Sequence, residues 1–535
     1  MASKKNVKYK KTAAPSRKPV AKARRGLKLP PLPQNVCLLL TLWAFCWLVY
    51  GDVFYLCEQW NYFAFDKVLM QDVIDLWYGP AALAGKLLLV ACRFPVLGGL
   101  VMALMLTAFV WLVGYIFGLK GWWRILPTLP VWGWLGYLVH LRLNIYFHFD
   151  SCFVFYVPLL ALLLAAAAAM VVRLVSKRHL QPMIAYRKDE KPLAQWMGWT
   201  ATVMLFVALW IDASVFHQDT IVTTRMQRLM QQERWADMID AAQSCKMPTR
   251  PVAAYYAIAL EQTDQLETKL FDIFYQFPKI FLKTRTDDYQ LGADLYEADC
   301  SFYGGLVNTS YHANMEHVVS SGLMVYRLKE MALAAILNGE MRLAEKYLVI
   351  IGKMPFENKF VEKYMPMLYD RELAANDPTL SKVLDVITTV PTFEQGFRPP
   401  VFMGYYVSLP SGHSRRQLIN SIMACLYSKD IKGVVPRALS LARQEKLAKN
   451  IEEGLLLNEL KNPNMNLKQF DPLTVSQTKS MLNEAHKYEE LSSKEKGKKL
   501  RDQFTGLYSM YYFYQQVPDD NYINSEDAKK GDGVN

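Results

Sequence analysis

The first 28 residues of this chain contain no Asp or Glu, and its eight cysteines include no CxxC pair. A phosphate loop, a dinucleotide fingerprint, an HExxH helix and a nucleophile elbow are also missing. Each absence excludes something. Without acids, eleven Lys and Arg (Lys4, Lys5, Lys8, Lys10, Lys11, Arg17, Lys18, Lys22, Arg24, Arg25, Lys28) stand unopposed just before the first long apolar run. A basic flank in that place stays in the cytoplasm and orients the span that follows it. Without CxxC spacing, neither a zinc site nor a thioredoxin-like motif is expected, and Cys37, Cys46, Cys57, Cys92, Cys152, Cys245, Cys300 and Cys425 read as small buried hydrophobes. Without the nucleotide and hydrolase signatures, the expectation is no cofactor, no metal and no catalysis.

The charge is unevenly spread. The chain carries +12, yet residues 215–535 hold 38 basic against 40 acidic side chains, and residues 29–214 hold 12 against 9. The mixed second half offers no electrostatic footprint for nucleic acid, so no nucleic-acid partner is expected.

Long apolar runs fill the segment between the tail and residue 216. Spans are expected near 36–57, 97–119, 125–141 (short, interrupted by Pro127 and Pro130), 152–174 (with five consecutive alanines that permit close helix approach) and 197–216. The first is too long for a signal-peptide core and lacks a cleavage pattern. Pro80–Cys92 is apolar but short and has Lys86 in its middle. Lys at the centre of a spanning helix costs about 2.5–3.5 kcal/mol on insertion scales. The connection Arg173–Lys191, with six basic residues against two acids, falls inside with five spans and outside with six. Residues 63–92 are therefore read as interfacial or re-entrant. Five spans from an inside N-terminus place the C-terminal domain outside, which is periplasmic in a cell with two membranes.

After His217 the pattern changes to paired amphipathic helices. Thr224–Gln232 and Arg234–Ser244 turn around Glu233; Val252–Gln262 and Gln265–Tyr275 turn at Thr263-Asp264. Leu328–Leu337 and Arg342–Ile351 turn at Asn338-Gly339-Glu340, and Gln417–Ser428 and Val434–Gln444 turn around Lys429-Asp430. Small residues at helix crossings and aromatics where helices diverge follow the logic of tetratricopeptide-type repeats of about 34 residues, here degenerate. Leu500–Tyr514 reads as a tyrosine-rich closing helix. The expected organisation is all-α: a basic tail (1–34), a transmembrane bundle of about five spans (35–216), a degenerate tetratricopeptide-like α-solenoid (217–518) and a disordered tail (519–535).

Several short stretches are similar to a family of bacterial multi-span inner-membrane proteins known only as a domain of unknown function. They are Glu233-Arg234-Trp235, Tyr255-Tyr256-Ala257-Ile258-Ala259-Leu260, Asn338-Gly339-Glu340 with Ala344-Glu345-Lys346-Tyr347-Leu348, Tyr427-Ser428-Lys429-Asp430, and the terminal tyrosine cluster. The resemblance covers most of the chain and implies a membrane region followed by a helical-repeat domain. It carries no activity.

Two motifs invite a chemical reading. Pro410-Ser411-Gly412-His413 matches the middle signature of membrane acid phosphatases, with Arg398-Pro399 mimicking the end of their first. The required Lys is replaced by Pro391 and no downstream Ser-Arg precedes a His, so a loop between helices is the better reading. His140-Leu-Arg142-Leu-Asn144-Ile-Tyr146-Phe-His148-Phe-Asp150 lies at the outer face on the five-span count, where Asp52, Asp66, Asp72, Asp75 and Asp212 are able to gather. Snorkelling helix-end charges are the simpler reading. The expected function is an inner-membrane protein whose partners are the bilayer and an envelope protein bound by the repeat domain. The alternative is an enzyme acting on a lipid-linked sugar or phosphate, with Asp66, Asp72, Arg142, His148 and Asp150 as its candidate residues.

Overall fold

The computed structural model describes residues 33–119, 121–146, 151–176, 192–246, 248–275, 296–387, 414–460 and 467–515. The basic tail, His148, Asp150, Pro410–His413 and the 519–535 tail lie outside the described residues. Among the described residues every regular element is helical.

The apolar half contains α1 (Gln34–Ala44), α2 (Gly51–Gln59), α3 (Gln71–Ile74), α4 (Gly79–Leu89), α5 (Pro95–Ile116), α6 (Leu129–Leu141), α7 (Phe153–Ser176) and α8 (Pro192–Ile211). Among the described residues three helices, not five, are long and apolar enough by themselves to cross a bilayer: Pro95–Ile116, Phe153–Ser176 and Trp196–Phe216. The other two expected spans depart for identifiable reasons. The first is two helices joined by a π-helical turn, Phe45–Val49, and bent by 65°. A π-turn is a common site of such a kink. In the second, Pro127 sits in a 3₁₀ stretch (Gly121–Thr128) and Pro130 starts α6. That leaves 13 helical residues, about 20 Å at 1.5 Å per residue, against a hydrocarbon core of about 30 Å.

The ends of these helices fall into two groups. At one end, Gly198 of α8 lies against Gln34 of α1. At the other, Gly51 lies against Pro95, Gly85 against Cys152 and Tyr156, Phe54 against Phe155, and His140 against His217. Small residues at Gly85, Gly98 and Gly99 allow these close approaches, since a Cβ at any of them would meet neighbouring backbone or Cβ atoms within about 3 Å.

The second half runs through α9 (Gln218–Gln231), α10 (Trp235–Gln243), α11 (Arg250–Gln262), α12 (Leu266–Lys269), α13 (Glu297–Tyr303), α14 (Val307–Ser321), α15 (Val325–Asn338), α16 (Met341–Gly352), α17 (Asn358–Tyr364), α18 (Arg371–Asn376), α19 (Leu380–Val386), α20 (Arg415–Tyr427), α21 (Ile431–Ala442), α22 (Lys449–Glu459), α23 (Pro472–His486), α24 (Ser493–Phe504) and α25 (Tyr508–Tyr514). In this half one turn recurs five times among the described residues. Glu233, Asp264, Gly305, Gly339 and Lys429 have φ of 55°, 58°, 83°, 78° and 58°. The N–H of the following residue donates five residues back in every case: Arg234 to Leu229 (3.0 Å), Gln265 to Leu260 (2.8 Å), Leu306 to Ser301 (2.7 Å), Glu340 to Ala335 (2.8 Å) and Asp430 to Cys425 (2.8 Å). This is the Schellman closure, which satisfies the last carbonyls of one helix with a left-handed residue and starts the next helix at once. Four of the five lie where the sequence places hairpin turns.

Two expected helices are corrected. The partner of α11 is a single turn, Leu266–Lys269, rather than a helix reaching Tyr275. The closing helix is split at Gly506 (φ 96°), whose N–H donates to the Phe271 carbonyl at 3.0 Å, so the chain bends to seat Tyr508 and Tyr511 on Phe271, Tyr275 and Tyr427. The tyrosines form a packed aromatic cap.

Candidate functional site at the junction of the two halves

The chain between α2 and α5 leaves and returns at the same end of the apolar half. Asn61 starts this excursion, and its backbone carbonyl accepts from the N–H of Val325 (3.2 Å), at the start of α15. The Asn61 side chain donates to the Cys57 carbonyl (2.8 Å) and to Ser151 Oγ, and accepts from Lys86 Nζ (2.7 Å). Three distant pieces of chain, at Lys86, Ser151 and Val325, thus meet on the buried Asn61. Beside it lies a cleft of roughly 200 Å³ lined by Asn61, Asp72, Tyr78, Lys86, Ser151 and Met324 among others. The stretch that walls it carries Phe65, Val68 and Trp77 outward, with Trp77 92% exposed. An apolar outer face over a polar inner one suits a segment lying in a membrane interface.

Of the sequence-predicted site residues, the structure brings Asp72 to this cleft. Asp66 is engaged elsewhere. Its carboxylate accepts from the Val68 N–H (2.9 Å) and pairs with Lys353 Nζ (2.6 Å), and the Lys353 hydrogen bond holds its carboxyl below the usual carboxylate range. Arg142 ends α6 with a left-handed φ of 52° and does not line the cleft. Ser151 is the first described residue after the His148–Asp150 stretch. Lys86 is the residue that the sequence marked only as an oddity, a lone charge in an apolar helix; Asn61 and Ser151 carried no signal at all. The cleft offers an ammonium, a carboxylate, an amide and a hydroxyl, a set that hydrogen-bonds a polar headgroup.

Buried charge also joins the halves. Glu357, before α17, is 1% exposed and accepts from Lys329 Nζ (2.6 Å), Arg93 Nη1 (3.0 Å) and Gln59 Nε2 (3.3 Å). Burial lowers the Lys329 ammonium, and the Glu357 carboxylate opposes that shift. Phe94 and Phe356 meet edge to face at 5.3 Å on the rim. In the second half, the Arg327 guanidinium packs against the stacked rings of Trp60 (4.9 Å) and Tyr326 (5.2 Å) and donates to Asn314 (3.0 Å). Asp299 accepts from Tyr255 (2.8 Å) and from Tyr326. Burial, then the nearby Asp299 carboxylate, pushes Glu330 well above the ordinary carboxylate range. Such groups persist at depth because each has a charged or hydrogen-bonding partner.

No curated protein and no solved structure matches the chain. A family of unknown function, DUF6057, matches residues 144–516, from the connector after α6 through α25, and the chain belongs to that family.

Proposed function

We propose that this is an integral membrane protein that crosses the bilayer five times and holds a set of helical hairpins against the face opposite its basic tail, where they bind a protein partner. The observation that carries the reading is the recurrence of one hairpin closure at Glu233, Asp264, Gly305, Gly339 and Lys429. Stacked helix pairs of this kind build the extended surfaces of helical-repeat binding proteins, tetratricopeptide-like solenoids included.

The five-pass topology draws support from where helix ends meet. The α1–α2 pair runs from the Gln34 end to the hairpin end, α5 runs back, and α7 and α8 repeat the excursion. The 3₁₀ stretch and α6 together carry the chain from Leu119, where Arg124 Nε donates to the carbonyl (3.3 Å), to His140 beside His217. Residues 61–94 begin and end at the hairpin face, in keeping with an interfacial rather than a spanning Pro80–Cys92. With the basic tail inside, the hairpins are outside, on the periplasmic side of an inner membrane.

The topology is tested with reporter fusions at Asn535 and within 177–191: an external C-terminus and an internal 177–191 connection are expected, and the reverse pattern overturns it. Partner binding is tested by cross-linking in intact membranes before detergent extraction. Recovery of a reproducible second protein, lost when Arg342 and Lys346 on α16 are replaced by Glu, supports the reading; recovery of this chain alone counts against it.

The cleft favours a second reading, a membrane enzyme acting on a lipid-linked sugar or phosphate. Asp72 and Lys86 line that cleft, which the five-span topology would put at headgroup level. If Asp72→Ala with Lys86→Ala complements every envelope defect of a deletion strain, this second reading fails and the first stands.

A further inference from the structure

We infer that His140, Asp212 and His217 form a binding site for a divalent transition-metal ion of the zinc class, with one coordination position open to solvent. The site is outside the cleft and uses residues from α6 and from the end of α8.

Helix packing brings the two chain segments together. Gly136, one turn before His140, faces α8, with Leu209 Cδ1 at 3.9 Å from where its Cβ would lie, and Leu209 is one turn before Asp212. The last turn of α6 is pinned by Tyr50, whose hydroxyl donates to the Leu138 carbonyl at 2.9 Å. Beyond Leu209, α8 widens into a π-helical turn, Asp212–Phe216. On an α-helix, residues five apart point in different directions; the i→i+5 closure of a π-turn puts them in register. His217 N–H accordingly donates to the Asp212 carbonyl (3.2 Å), and the His217 ring folds back over Asp212. π-turns are frequent at functional sites for this reason.

The donor atoms converge. His217 Nδ1 lies 3.5 Å from Asp212 Oδ1, His140 Nδ1 lies 3.9 Å from Asp212 Oδ2, and the imidazole centroids are 5.2 Å apart. Each residue offers one ligand atom, and the three atoms all lie within 4.8 Å of one another. Bonds of about 2.0–2.2 Å to imidazole nitrogen and carboxylate oxygen require ligand atoms roughly 3–4 Å apart, so closing on an ion takes small side-chain rotations. His217 Nδ1 is also 3.1 Å from the Asp212 carbonyl oxygen. That contact makes Nδ1 a hydrogen-bond donor to the carbonyl; ligating an ion through Nδ1 shifts the proton to Nε2 and turns the ring off the carbonyl.

Two imidazoles and a carboxylate suit zinc, cobalt or nickel; calcium and magnesium prefer all-oxygen sets. The His217 side chain is buried and Asp212 partly so, whereas His140 is 67% exposed. Three protein ligands with one open side is the arrangement that keeps a fourth position for water or an anionic oxygen.

The test uses the full chain in detergent micelles, stripped with EDTA and titrated with Co²⁺. The expected result is visible d–d absorption that saturates at one ion per chain, and a melting temperature raised by Zn²⁺. His140→Ala, at an exposed position, is expected to melt like the wild type without metal, to bind Co²⁺ at least about 10–100-fold more weakly and to lose the Zn²⁺ effect. His140→Cys is expected to restore binding with a new thiolate-to-cobalt band. Absence of d–d bands in the wild type, bands unchanged in both His140→Ala and His217→Ala, or a thiolate band in the wild type would each overturn the proposal.

Discussion

The two halves of this molecule differ in how often they end a helix with a left-handed residue. In the second half, helix after helix stops at a left-handed residue and restarts two positions later, with the same pair of backbone hydrogen bonds. In the apolar half that closure appears at Gly118 after α5, where the Leu119 N–H donates to the Gly114 carbonyl at 3.0 Å; elsewhere prolines sit at helix starts (Pro95, Pro130) or in the 3₁₀ stretch (Pro127), and helices widen into π-turns (Phe45–Val49, Asp212–Phe216). The difference follows from what lies past each end. A hairpin turn facing water satisfies its carbonyls with its own backbone and leaves a side chain for tethering. Glu233 reaches Lys363 (2.7 Å), Asp264 reaches Arg416 and Lys382, and Lys429 donates to the Gln515 carbonyl (2.6 Å). These ties explain why three of the five left-handed positions are not glycine. A π-turn at the edge of an apolar bundle instead keeps every hydrogen bond inside the helix while redirecting one side chain.

The comparison breaks most visibly where the halves meet. Glu357→Ala leaves Arg93 and Lys329 facing each other without their carboxylate; it is expected to destabilise by about 3–5 kcal/mol, read as a lower melting temperature in detergent, and a change under 1 kcal/mol would show that the junction is held by apolar contact alone. Next is the hairpin closure. Gly305→Ala places a Cβ against the Val386 carbonyl at a left-handed φ, and is expected to cost about 2–4 kcal/mol. A third effect is acid sensitivity confined to the second half. Burial, and then Arg327, lowers His317 from 6.5 to about 3, so the fold keeps it neutral while the unfolded chain takes a proton below 6.5. Stability is therefore lost as pH falls from 6.5 toward 3, by up to about 1.4 kcal/mol per pH unit. His317→Gln is expected to flatten that slope, and an unchanged slope would assign the acid response elsewhere. The smallest effect is Glu233→Gly, which relieves a left-handed side chain by about 1–2 kcal/mol and gives up a partly exposed ion pair of about 0–1 kcal/mol. A net change within about 1 kcal/mol is expected; a large loss would make the tether to Lys363 the more important half of that device.

Legibility in the sequence tracks the range of the interactions. The turns at Glu233, Asp264, Gly339 and Lys429 were readable because a polar break between two amphipathic runs is a local signal; Gly305 was not, because the helix before it, Glu297–Tyr303, has only 7 residues, too few for a period to register. The split of the closing helix at Gly506 depends on a contact with Phe271 and was invisible locally. At the junction, Asp72 was foreseen as a candidate and found in the cleft, whereas Asp66 was foreseen and found paired with Lys353. His140 and Asp212 were both noticed at one membrane face, but their convergence with His217 was not. A spacing of five between Asp212 and His217 looks wrong for one helix face until the helix is known to be π-wound there.

The sequence by itself determined that the chain is helical, that a basic segment precedes an apolar half, and that a mixed-charge half of paired helices follows. Those properties are sums over neighbouring residues, and periodicity and charge bias report such sums directly. Tertiary structure alone decided which helices are long enough to cross a bilayer, which carboxylate lies between Arg93 and Lys329, and which imidazoles share Asp212. These depend on pairs such as Gln59 and Glu357, 298 residues apart, or on one residue of extra winding. Each is set by how packed helices divide a limited space among buried polar groups that all need partners.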